Sequence, residues 1–152
     1  MNESLLDLNL AETPDLENAV EGEHSITLSK MALHASKESG NISIATTVKV
    51  TDQANCYSMT SYSGLPTVAD DTEKAATKRR GLKNLCRCFN ISYDTLQNCL
   101  RDALNSPRSG NEDWGDSSFS MLIGSTGTAI VKHEEYQGII STKIKTWVFD
   151  KD

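Results

Sequence analysis

The residues best suited to chemistry in this chain are cations interleaved with aromatics near its carboxy end. In IISTKIKTWVF, residues 139–149, period-two alternation puts Ile140, Ile144 and Val148 on one strand face and Lys143, Lys145 and Trp147 on the other. Two ammonium groups beside an indole supply what holding a single nucleic-acid strand requires: charge for phosphates and a plate for bases. The same alternation is also that of an ordinary solvated strand face. Lys49 and Lys132, on other strand-like stretches, extend the candidate phosphate contacts, and Tyr57 and Trp114 extend the stacking candidates. Tyr57 and Tyr62 are an odd number of residues apart on one β-prone stretch, so they point to opposite faces and one is expected in the core. Trp114 lies in a polar, acid-flanked loop, either to stack on a strand or to tuck back as an anchor. The densest positive cluster is Lys74, Lys78, Arg79, Arg80, Lys83 and Arg87. It either adds phosphate contacts or is the wet face of a helix whose apolar side carries Leu82, Leu85 and Phe89.

Other chemistries find no support in the spacing. Cys86-x-Cys88 with Cys99 and the histidines His24, His34 and His133 lacks the paired short intervals of a zinc site. The four cysteines, Cys56 included, read as reduced thiols acting as small hydrophobes. Gly124-Ser-Thr-Gly127 is not followed by Gly-Lys-Ser/Thr, so it reads as a turn and not a phosphate loop. Asp113 and Asp116 make no convincing acid–base or two-metal pair. No nucleophile and base can be matched, so the expectation is a non-enzyme without metal or cofactor.

Charge is distributed unevenly. The net charge is −6, but residues 1–23 hold seven acids and no Lys or Arg. Setting aside both ends leaves 14 basic and 12 acidic residues between His24 and Phe149, a near-neutral body compatible with a polyanionic partner. No apolar run approaches the length of a membrane span, and no leader pattern of basic then apolar residues opens the sequence, so a cytoplasmic protein is expected.

The elements that must position these residues can be taken in order. Residues 1–20 read as an acidic, partly ordered arm with scattered leucines, 21–149 as one domain, and 150–152 as a short tail. From Glu23, Ile26 and Leu28 keep one alternation while Met31, Leu33 and Ala35 keep the opposite one, a phase slip at Ser29–Lys30 that predicts a bulge in a long curving strand. A turn at Ser39-Gly40-Asn41 leads into ISIATTVKV, and ANCYSMTSY makes a third strand ending at Gly64-Leu65-Pro66. Helical spacing runs from Asp71 through Phe89, and Ser92 caps a second helix carrying Leu96, Leu100 and Leu104. Residues 105–118 read as a loop, and a hairpin over 124–149 turns at Tyr136-Gln137-Gly138. Five strands interrupted by a helical insertion between the third and fourth give the element order of a β-rich OB-fold barrel.

Several stretches then carry a likeness. EGEHSITLSKMALHASKESGNISIATTVKV, KRRGLKNLCRCFNI and SMLIGSTGTAIVKHEEYQGIISTKIKTWV resemble the opening hairpin, central helix and closing strands of a family of small bacteriophage proteins similar to OB-fold single-stranded-DNA-binding proteins of replication and recombination modules. The resemblance implies sequence-independent binding of single-stranded DNA in a host cytoplasm, with phage or host replication and recombination proteins as further partners. Lys49, Lys132, Lys143 and Lys145 are then expected to track phosphates, aided by Lys78, Arg79 and Arg80. Tyr57, Trp114 and Trp147 are expected to stack on bases. The alternative is an OB-like adaptor that recruits such enzymes through its acidic arm without touching DNA. A dimer would form through an exposed sheet edge or through the arm.

Overall fold

A computed structural model describes residues 6–108 and 113–150; residues 1–5, 109–112 and 151–152, parts of the expected arm, loop and tail, lie outside the described residues. The elements are β1 (Gly22–Ala35), β2 (Ile42–Val50), β3 (Met59–Gly64), α1 (Thr72–Phe89), α2 (Tyr93–Leu104), β4 (Asp113–Trp114), a 3-10 helix (Asp116–Leu122), β5 (Thr126–Tyr136) and β6 (Ile139–Val148). The strands form one antiparallel sheet in the order β3-β2-β1-β5-β6, with β4 also pairing β1. No described helix is long and apolar enough to cross a membrane.

β1 organises the sheet, since β2 runs along one of its edges while β5 and then β4 share the other. Ser29 is the extra residue of a bulge, because Leu28 pairs with Val48 and Lys30 with Thr47. The bulge restores a continuous inner face despite the slip in sequence phase: Ile26, Leu28, Met31, Leu33 and Ala35 all turn inward, and all are buried. Opposite them Val48 and Ile44 complete the floor of the core.

α1 covers that floor. Asp71 caps its amino end by accepting from the Lys74 amide at 2.7 Å, and Asn90 ends it in the left-handed conformation. Ala75, Leu85, Cys86 and Phe89 bring its apolar side to the sheet, in contact with β3, β5 and β6. The approach is close enough to demand a glycine. A Cβ at Gly127 would lie 2.8 Å from both the carbonyl oxygen and the Sγ of Cys88. α2 begins at Ser92, whose hydroxyl accepts from the Thr95 amide at 3.1 Å, and buries Leu96, Cys99 and Ala103.

The expected closed barrel of five strands is corrected in two respects. The described residues form six strands, the additional one being the two-residue β4 inside the segment read as a loop, where Trp114 pairs with Leu33. The sheet is also open. β3 and β6 come within 8 Å of each other, Cα to Cα, but no ladder joins them, and α1 packs across the gap.

The arm is fastened at its root. Glu17 bridges Cys56 in parallel pairing, Asn18 donates to the Ile140 carbonyl at 3.1 Å, and His133 meets the Ala19 carbonyl at 2.7 Å. His24 points inward and is buried, with Nε2 2.6 Å from the Val20 carbonyl and Nδ1 2.6 Å from Asp52. Outward from there, Leu6, Leu8, Leu10 and Leu16 are exposed.

Candidate nucleic-acid interface

Alternation carries the residues that do not enter the core to the outer face of β1, β2 and β3. β2 presents Ser43, Ala45, Thr47 and Lys49 there; across from them on β1 stand His34, Ala32, Lys30 and Thr27. On β3, Tyr62 stands opposite Ala45 and Thr60 opposite Thr47. Small and hydroxyl-bearing residues therefore form a low surface from which few side chains project, and Thr47 and Thr60 join their hydroxyls at 2.9 Å.

One aromatic unit rises from it. Tyr62 and His34, diagonal neighbours across β2, bring their rings to a centroid distance of 4.8 Å at an interplanar angle of 51°. Ala45, in register with Tyr62, is buried on this face, while the tyrosine itself remains 59% exposed. His34 is steadied from the other side by Asp113, 2.7 Å from its Nδ1, and the same carboxylate lies 4.0 Å from the Lys30 ammonium. Lys49 is four residues along β2 from Ala45, about 13 Å away by strand rise. Tyr57, 48% exposed, precedes β3 at that same end. A polymer laid along the strands would meet an aromatic ring and two ammonium groups.

The sequence-predicted residues divide among several places. Lys49 lies at this face, and Tyr57 is exposed just ahead of β3, outside the paired strand. Lys132 and Lys143 also face outward but oppose each other on β5 and β6, and Lys143 lies 3.7 Å from Glu134. Lys132 is six residues along β5 from Thr126, the position in line with Lys49 through Thr27, so the two lysine stations are about 20 Å apart. Lys145 is the extra residue of a second bulge, where Ile130 pairs with Thr146 but Val131 with Ile144.

That second bulge overturns the expected row. Beyond Lys145 the alternation is reversed, so Trp147 pairs with Ala129 on the inner side and meets Phe89 of α1 edge-on at 5.5 Å. Val148, expected beside Ile140 and Ile144, faces the other way, opposite Thr128. Trp147 is therefore not a plate beside Lys143 and Lys145. Trp114 is likewise no exposed stacking group: it is 8% exposed, part of the core cluster, with the Arg108 guanidinium 4.5 Å from its ring centroid. Neither tyrosine is in the core, against the expectation for one of them.

The α1 cations are not gathered at this face, because α1 packs on the inner side of the sheet. Lys78 is held by Asp70 at 3.0 Å, with the Asp70 carboxyl kept below its ordinary range by the Thr67 amide and then by that ammonium. Arg79 and Arg80 are exposed on the helix surface. Arg87 donates to the Tyr93 hydroxyl at 3.1 Å.

The chain matches no protein-family model and no curated protein.

Sequence reasoning missed Tyr62 as a site residue, and with it His34 and Lys30. The bulge at Ser29 was visible as a phase slip, and carrying alternation past it turns Lys30 and His34 outward. What places Tyr62 over His34 is the β2–β3 register, which depends on the irregular segment 51–58 and has no local signature. Redox and metal chemistry gain nothing from the thiols: burial pushes Cys86 up to about 11 and raises Cys88 and Cys99 as well. Among the described residues, no three His, Cys, Asp or Glu side chains converge as a metal site.

Proposed function

We propose that this chain binds single-stranded DNA without regard to sequence, on the outer face of β1, β2 and β3. The observation that carries this reading is the exposed Tyr62 ring in tilted contact with His34, flanked by Lys30 and Lys49 on a surface otherwise built of small and hydroxyl-bearing residues. A base needs only a π-face and a phosphate only a nearby cation, so such a surface takes any sequence. The strand arrangement supports it. A partly open Greek-key barrel with a helix after its third strand is the OB pattern, and OB proteins bind oligonucleotides across the face of strands two and three. Here that face holds the Tyr62 platform. We assign the chain no catalytic step, and its action is stoichiometric: it covers exposed strands and keeps them open for replication or recombination enzymes.

Anisotropy of 5′-labelled oligo(dT), titrated with protein at several salt concentrations, tests the reading. The label belongs on the DNA because Trp114 is buried and Trp147 lies against Phe89, so neither indole reports stacking directly. A strand confined to Lys30 and Lys49 gives a log–log salt slope of about −1.4, and one that also reaches Lys132, Lys143 and Lys145 about −3.5. Absence of binding at low salt refutes the proposal and leaves the adaptor reading.

A further inference from the structure

A well-formed concavity lies away from the proposed DNA face, between α1 and α2. α1 and α2 diverge to leave a groove of about 480 Å³, within the range of ligand-binding clefts. Leu65, Leu82, Leu100 and Leu104 line its apolar part. Arg79, Lys83 and Arg101 also line it, and none of these three has a carboxylate partner within 4.0 Å among the described residues. Lys83 faces the Tyr93 ring at 5.7 Å, and Arg101 donates to the Asn98 side chain at 3.3 Å. The groove thus offers apolar surface surrounded by positive charge whose counter-charge is missing.

The complement is in the same chain. Leu6, Leu8, Leu10 and Leu16 are 44–79% exposed on the arm, interspersed with Asp7, Glu12 and Asp15, and residues 1–23 contain no Lys or Arg. Leucines left in water next to carboxylates are unusual on a free surface and match what the groove lacks in both apolar contact and charge. The arm leaves its own domain at Glu17–Cys56, ahead of β3, whereas the groove begins at Leu65, just beyond β3. The root of the arm and the start of the groove therefore lie at opposite ends of that strand.

We infer that the groove between α1 and α2 receives the acidic, leucine-bearing arm of a second copy, two copies exchanging arms to form a dimer. Reciprocal exchange closes the assembly, because each copy supplies one arm and one groove. It leaves the β1–β2–β3 face uncovered, so it stands independently of the DNA reading.

Charge reversal in complementary pairs tests this on the full chain. Sedimentation velocity of the wild type should show a dimer that weakens with salt. R79E/R101E, with reversed grooves, and D7K/E12K, with reversed arms, should each lower self-association about tenfold or more. Mixed together, the two variants should associate again, since each arm then meets a groove of opposite charge. Circular dichroism of each variant shows whether it is folded, and a loss caused by misfolding would not be restored by mixing. The inference is overturned if the wild type is a monomer, if removing residues 1–16 leaves self-association unchanged, or if the mixture stays monomeric. A monomer whose α1 and α2 amides shift on arm removal would mean that the arm docks on its own domain, which also overturns it.

Discussion

Replacing Asp52 with Asn should destabilise the fold by about 1–2 kcal/mol near pH 6 and by less as the pH rises. The reasoning begins with two acceptors. The Val20 carbonyl and the Asp52 carboxylate each lie 2.6 Å from a nitrogen of His24, and neither has a proton to give, so both ring nitrogens donate and the ring is an imidazolium. Burial alone would lower the His24 pKa, but the bonds to Asp52 and Val20 and the attraction of the carboxylate together leave it above 6.5. On the partner side, the bond from His24 is the largest influence holding Asp52 below 3.8; partial burial opposes it and the Ser25 amide adds to it. Hydrogen bonds to charged groups contribute about 1.5–3 kcal/mol, and the figure is reduced here because Asp52 is 40% exposed and solvent screens the pair.

The pH window follows from the directions. A raised histidine contributes fully below its unfolded value and loses that contribution as pH climbs through the folded pKa; a lowered carboxyl contributes above its unfolded value and loses it as pH falls through the folded pKa. The pair therefore stabilises most between about pH 4 and pH 6.5. In Asp52→Asn the burial of His24 is no longer offset by a carboxylate, its pKa falls, and the slope of stability against pH near neutrality should diminish or reverse. Urea midpoints for both proteins at pH 5.5, 7.0 and 8.5, with an NMR titration of the His24 ring, measure this. A wild-type His24 that titrates at or below 6.5, or a variant that keeps the wild-type slope, refutes the two-donor assignment.

Tyr62→Ala should weaken oligo(dT) binding about 5- to 150-fold, the loss of one stacked base. Its urea midpoint should barely move because the ring is exposed, and an unchanged affinity in the anisotropy assay removes Tyr62 from the site. Gly127→Ala should cost about 1–3 kcal/mol by overpacking, read from the urea midpoint, since the added methyl meets backbone and sulfur of Cys88 that cannot both withdraw; a neutral result would show that α1 can lift off β5.

How much of this was legible depended on how local each signal was. The Ser29 bulge could be read because both of its phases lie on one strand with apolar residues on either side. The caps Asp71 and Ser92 and the turn at Gln137-Gly138, where both residues have positive φ, are written in short residue patterns that the backbone obeys directly. The second bulge was not legible. Ile140, Ile144 and Val148 keep a spacing of four that looks in phase, and only pairing with β5 shows that Lys145 is the extra residue. Trp147 was misplaced for that reason, and the basic row at the carboxy end lost its aromatic. β4 was hidden differently: a two-residue strand in a polar stretch has no period, and the ladder with β1 that buries Trp114 is a long-range contact. The candidate face followed the same division, with the outward turn of Lys49 readable from pattern and the Tyr62–His34 pair dependent on a register that no stretch of sequence encodes alone.

The gap between β3 and β6 has a mechanical side. In a sealed barrel the girth is set by its ladders, and widening it means breaking backbone hydrogen bonds around the ring. Here β3 and β6 can part while each of the existing ladders stays whole, resisted by the packing of α1 against β3, β5 and β6. Stiffness against opening is thus a property of helix side chains, Phe89 against Trp147 among them, and not of the sheet. The molecule is a clasp and not a hoop, and a substitution under α1 would loosen its girth before it unravelled a strand.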